Sequence, residues 1–180
     1  MDYFKECAKR EYSAKQRFIA IAFAGLIFAL LIPFGIALGA GTMDRALNLP
    51  RLYWGVPNII AGVVLIAIGW PLALWSIYVQ FKLASGTPLP MMPTHKLIIT
   101  GPFVYCRNPM TLGALLAYFG IAVILGSISA LAIVLVLTIL LLLYIKLIEE
   151  KELAARFGDE YLEYRKSTPL ILPRLKRNPD

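Results

Sequence analysis

The chain of 180 residues is short of charge, cysteine and histidine. Only 16% of its residues are charged against 59% that are hydrophobic, an apolar share beyond that of a soluble domain. So little charge marks an integral membrane protein. No Ser/Gly-rich or charge-rich linker divides the sequence, which predicts a single domain over residues 1–180. The two cysteines, Cys7 and Cys106, both fall in segments expected on the reducing cytoplasmic side, so free thiols are expected and a disulfide is not. The formal net charge of +7 does not come from an independent basic module. The Lys and Arg residues flank apolar runs, so nucleic acid is not an expected partner and a membrane face is. A G-x-G-x-x-G phosphate-binding loop is also missing.

The chain is built of long apolar runs. Residues 18–41 give 24 apolar positions, more than the roughly 20 needed to cross a bilayer. The charged segment ahead of it, residues 2–17, carries Tyr3, Phe4, Cys7 and Ala8 as a weak apolar stripe and predicts an interfacial N-terminal helix. That charged lead and the length of the run argue against a cleaved signal peptide. Gly35 and Gly39 form a small-xxx-small pair that permits close helix contact, and Pro33 is a candidate kink. A second run spans residues 58–81, with Pro71 midway and Trp54, Trp75 and Tyr78 as interfacial anchors. Runs at 110–125 and 129–148 are separated by little more than Gly126 and Ser127, which predicts an antiparallel hairpin whose first member is short for a full crossing. The expected fold is all-α and polytopic, with about four transmembrane helices. Four spans place 16 positive residues on one side against 2 on the other, so both termini and the loop between the second and third spans are expected in the cytoplasm.

That loop is the densest stretch of chemistry in the chain. Residues 95–109 read HKLIITGPFVYCRNP. Pro102 and Pro109 fix their own φ and push the preceding residue out of helix, and Gly101 can take positive φ or let a ligand approach the main chain. A loop as long as residues 82–109 usually has a function. After the fourth run, IEEKELAARFGDEYLEYRK predicts a cytoplasmic C-terminal helix continuing the span, with Leu153, Phe157, Tyr161 and Tyr164 along one face. Glu152 and Arg156 stand at i,i+4 in the favourable order, and Gly158 is a candidate break. STPLILPRLKRNPD then predicts a non-helical tail along the membrane surface. Because the third and fourth spans form a hairpin, their cytoplasmic ends are neighbours, and Glu149 and Glu150 come to the same mouth as the loop. Residue chemistry alone predicts a polar ligand site facing the cytoplasm and open to lipid.

GPFVYCRNPM followed by EEKELAARFGDEYLEYRKSTPLILP resembles the isoprenylcysteine carboxyl methyltransferase family and the related phospholipid methyltransferases, over residues 95–173. Three positions depart from the family pattern: Asn108 where many members carry His, Thr111 where Tyr is common, and Ile145 where Arg often stands. The resemblance implies an integral membrane methyltransferase that uses S-adenosylmethionine and no metal. It implies Arg107 and Glu150 as catalytic residues. The donor would be held by His95, Leu97, Gly101, Phe103, Tyr105, Asn108, Pro109, Glu149 and Glu150. A carboxylate of Glu149 or Glu150 would suit the donor's ammonium, His95 and the main chain over 97–103 its nucleoside, and Arg107 an acceptor carboxylate or phosphate. The expected acceptor is lipophilic, an isoprenylcysteine carboxylate ahead of a phospholipid amine, with membrane lipids as further partners. Two other readings are an NADPH-dependent sterol-type reductase and a non-catalytic lipid-binding scaffold. Taken singly, Arg107 could snorkel to lipid phosphate, and Tyr161, Tyr164 and Cys106 read as packing residues.

Overall fold

Apolar runs in a bilayer must satisfy their backbone internally, and helices do this within one segment. The computed structural model describes residues 12–83, 94 and 96–173, and among these there is no strand. Ser13 starts the first helix with a capping box: its hydroxyl accepts from the Gln16 amide at 3.2 Å, and the Gln16 side chain accepts from the Ser13 amide at 2.9 Å. Helix α1 (Ala14–Leu26) runs through a π-helical turn (Ile27–Leu31) into α2 (Ile32–Ala46). Helix α3 (Val56–Leu83) follows a short loop, and α4 (Pro109–Leu125) begins after the central loop. Helix α5 (Ile128–Tyr144) passes through a second π turn (Ile145–Glu149) into α6 (Glu150–Phe157), and α7 (Asp159–Ser167) ends the helical part. Three continuous helices, Ala14–Ala46, Val56–Leu83 and Ile128–Phe157, are long and apolar enough to cross a membrane; α4 is apolar and shorter. The interfacial helix expected over residues 2–17 falls largely outside the described residues, and from Ala14 the chain is already in its first long helix.

The proline in that helix explains its π turn. Ile32 donates its amide to the Ile27 carbonyl, five residues back. Pro33 is next in that register and has no N–H, so the Phe28 carbonyl is left without a helical partner. The Tyr118 hydroxyl of α4 donates to it at 2.7 Å, and the Tyr118 ring meets Trp70 of α3 edge-on at 6.4 Å. A carbonyl freed by proline is thus closed by a side chain from a neighbouring helix.

Helices α3 and α4 pack backbone to backbone. Gly62 lies against Gly120, and Gly69 against Gly113; a Cβ added at any of the four would collide with the main chain opposite. The pairs are seven residues apart on both helices and run in opposite directions, as close antiparallel packing requires. The Gly35 and Gly39 pair does not serve this purpose: nothing stands within 4 Å of a Cβ at Gly35, and only the tip of Ile133 approaches Gly39. Helix α2 packs instead through Ile36 and Ala40 onto Tyr118, Ala122, Ala130 and Val134. The hairpin has the expected turn, with Gly126 at φ +57° and the Ser127 hydroxyl accepting from the Ala130 amide at 3.0 Å. Buried Asn58 ties this end together: it donates to the Leu52 and Val123 carbonyls at 2.8 and 2.9 Å and accepts from the Trp54 amide at 2.8 Å.

The C-terminal helix breaks at Gly158, the candidate break, into two. Gly158, at φ +55° and ψ −131°, separates α6 from α7, a conformation that only glycine adopts without strain. Residues 174–180 of the tail lie outside the described residues.

Replacing Gly69 or Gly113 by Leu forces α3 and α4 apart and is expected to cost about 2 kcal/mol or more, by overpacking. Tyr118→Phe, which orphans the Phe28 carbonyl, is expected to cost about 1 kcal/mol. Thermal unfolding in detergent measures both, with Gly35→Leu as the near-neutral control.

Candidate active site

The site forms at the end of the bundle where α4 begins and α5 has just ended. Thr100 is extended, Gly101 turns with φ +62°, and residues Gly101–Val104 make one turn of 3₁₀ helix. Pro102, Phe103 and Cys106 are buried beneath it. Pro109 occupies the first turn of α4, where its missing N–H costs nothing. Arg107 therefore leaves the short stretch between this 3₁₀ turn and α4 and points back into the bundle.

Glu150 meets it there. Arg107 Nη1 donates to Glu150 Oε1 and, at 3.1 Å, to the Tyr161 hydroxyl. The two charged side chains are only 10% and 12% exposed, so this is a largely buried ion pair. The π turn accounts for how Glu150 reaches it. Ile145 and Glu150 are both buried and five residues apart, the spacing that an i→i+5 turn places on one face. Glu149, half-buried beside the pair, has no hydrogen-bond partner among the described residues.

The segment after Gly158 closes the site from the other side. Tyr161 is 1% exposed, and the Tyr164 hydroxyl donates to the Phe103 carbonyl at 2.6 Å. The tail pairs with the loop: the Arg107 amide donates to the Pro169 carbonyl at 2.9 Å and the Asn108 amide to the Leu170 carbonyl at 3.1 Å. So residues 168–171 do not simply lie along a surface; they hold the backbone of Arg107. Arg156 pairs with Glu152 at 2.9 Å, as the i,i+4 spacing predicts, and also donates to the Thr94 carbonyl.

Burial sets the protonation of this shell. Burial first, and the charge of Glu150 second, raise the Tyr161 hydroxyl above its ordinary range. Burial likewise raises Tyr164, which stays a neutral donor. Burial pushes the Cys106 thiol up to about 11. The arginine next in sequence does not make it a reactive thiolate.

Of the residues expected at the site, Arg107 and Glu150 meet directly, with Glu149 beside them and Asn108 and Pro109 on the same loop. Gly101 packs instead against Trp75 and Val79 of α3, and Phe103 contributes its carbonyl to Tyr164. Leu97 is half-buried in the irregular stretch before Thr100, and Tyr105 is 46% exposed. His95 lies outside the described residues. Tyr161 and Tyr164 exceed the packing role expected of them: each hydroxyl bonds to the loop. Their three-residue spacing after Phe-Gly put both on one face of a short helix, a signal that becomes legible only once Gly158 is seen to turn the chain back. An unpaired atom completes the picture, because Arg107 Nε is buried and has no partner in the described structure.

The phospholipid methyltransferase family model matches residues 57–160, from the start of α3 into α7. That is more than half of the chain, and the chain belongs to this family. It is 31% identical over 138 residues to a methanethiol S-methyltransferase of Pseudomonas deceptionensis, covering 70% of this chain and 51% of that protein. It is 27% identical over 137 residues to a methanethiol S-methyltransferase of Crocosphaera subtropica, covering 67% of this chain and 50% of that one. The chain thus spans about half the length of the curated relatives it matches. No solved structure matches it. The family match bears out the resemblance read from the two motifs.

Removing one partner of the ion pair strands a buried charge, so Arg107→Met or Glu150→Met alone is expected to cost about 3 kcal/mol or more, and the double replacement clearly less than the sum. A double-mutant cycle by thermal unfolding reads this. Cys106, protonated up to about pH 11, is expected to resist maleimide at pH 8 in the folded protein and to react on unfolding, as mass spectrometry of the 106-containing peptide would show.

Proposed function

We propose that this chain is an integral membrane methyltransferase that uses S-adenosylmethionine, with its site at the Arg107–Glu150 end of the bundle. In this reading four helices span the membrane and both termini and the site face the cytoplasm, a reading supported by the 16-to-2 distribution of basic residues. The observation that carries the proposal is the buried cluster of Arg107, Glu150 and Tyr161, which joins the two halves of the motif.

The residues present fit the donor. Glu150 is committed to Arg107, which leaves Glu149 to face the donor's ammonium. The unpartnered Arg107 Nε would face an anionic oxygen of the donor or of the acceptor. The bound donor supplies a methyl group activated on a sulfonium. The protein's contribution is to orient the acceptor in line with it and to exclude water.

For the acceptor, we favour a small lipophilic thiol. Arg107 is already balanced by Glu150, so the cluster has no surplus positive charge to reward a carboxylate. Held in line by the protein, a thiol sulfur would take the methyl group that the bound donor supplies and become a thioether, its proton lost to bulk solvent at the mouth of the site and the donor left as S-adenosylhomocysteine. Both curated relatives are named for a thiol substrate. An isoprenylcysteine carboxylate is the second reading, favoured by the free Arg107 Nε. Membership in a methyltransferase family speaks against the reductase reading.

Membranes carrying the chain, given methyl-labelled donor with an alkanethiol, farnesylcysteine or phosphatidylethanolamine, test this. Label is expected in the thioether, reduced about 100-fold in Glu150→Gln by displacement of Arg107. Base-labile label on farnesylcysteine would select the second reading, and no transfer to any acceptor counts against the proposal.

A further inference from the structure

The bundle has a polar concavity at the end away from Arg107. Helix α4 separates the two, and its 17 residues make a distance of about 25 Å. This cleft, of about 490 Å³, lies between the C-terminal part of α2, the loop after it and the turn of the hairpin. Its inner wall is apolar and made of small residues, Ala37, Ala40 and Gly41, and its rim carries Asp44, Arg45, Asn48 and Arg51.

The charges are not equivalent. Asp44 is engaged: its carboxylate accepts from the Ser129 amide at 3.1 Å, capping α5 from a neighbouring helix. Arg45 donates Nε to the Gly41 carbonyl of its own helix at 2.9 Å and lines the cleft. Neither Arg45 nor Arg51 forms an ion pair within 4 Å among the described residues, although the Arg51 charge acts on the nearby Asp44 carboxylate. These are the two basic residues on the side that the charge distribution otherwise leaves bare. Two arginines share a cleft with an apolar inner wall, near exposed Leu47, Tyr53 and Trp54, a combination suited to a phosphate joined to an acyl-glycerol.

We propose that this cleft binds a phospholipid of the leaflet opposite the Arg107 site. Arg45 and Arg51 hold its phosphate, and the recess over Ala37 and Gly41 takes its glycerol and the start of a chain. The site is independent of the methyl-transfer reading and is tested without any turnover.

The full chain, purified in detergent and stripped of lipid, is examined by native mass spectrometry with dimyristoyl phosphatidylglycerol, the matching diacylglycerol, or inorganic phosphate. One saturable phosphatidylglycerol is expected, with neither the diacylglycerol nor inorganic phosphate matching it. Binding weakens about tenfold or more in the double variant Arg45→Gln/Arg51→Gln, as loss of two charge-assisted donors requires. It also weakens in Gly41→Phe, which fills the recess where nothing stands within 4 Å of a Cβ and leaves the charges in place. Unchanged thermal unfolding of Gly41→Phe checks its fold. Phosphatidylglycerol binding of equal strength in both variants overturns the proposal, as does equal binding of diacylglycerol or of inorganic phosphate.

Discussion

A charge buried at the edge of an apolar bundle must have a partner, and here that requirement joins two segments 43 residues apart. Arg107 leaves the central loop and Glu150 leaves the fourth apolar run, and neither is stable where it lies without the other. Tyr161 adds a third contact, and Pro169 and Leu170 fix the backbone that carries the arginine. The cost of desolvating a guanidinium and a carboxylate is therefore met by one arrangement of loop, helix end and tail. A site that must place a reacting group to within a fraction of an ångström needs such over-determination.

The bundle supports it with departures from regular helix. A π turn at Ile145–Glu149 sets Ile145 and Glu150 on the same inward face. Another at Ile27–Leu31, ahead of Pro33, frees a carbonyl that Tyr118 closes. Between them, the glycines of α3 and α4 let two backbones touch, which fixes where α4 starts and hence where Arg107 points.

Apolar composition and run length placed the long helices in the sequence, and Gly126 with Ser127 placed the hairpin turn, because these depend on local residues. The Glu152–Arg156 pair was legible for the same reason. The Arg107–Glu150 meeting followed from topology, since a hairpin brings its outer ends together. What escaped depended on register between distant segments. Gly62, Gly69, Gly113 and Gly120 look like ordinary membrane glycines until the two helices are aligned, and Gly35 with Gly39 gave the more familiar pattern without the contact. Tyr161 read as packing because a candidate break at Gly158 does not say in which direction the chain turns. The pairing of Arg107 and Asn108 with Pro169 and Leu170 uses backbone groups, which side-chain pattern does not announce.

The loop at 97–109 and the segment at 149–161, both within the family match, meet through Arg107 and Glu150, and under the proposed function they are the two walls of a donor pocket. Ultraviolet crosslinking of methyl-labelled S-adenosylmethionine to the purified chain, followed by peptide mapping, addresses this most directly. Label is predicted in peptides from both segments, displaced by excess unlabelled donor. Label confined to α1–α3, or unaffected by competition, would contradict it.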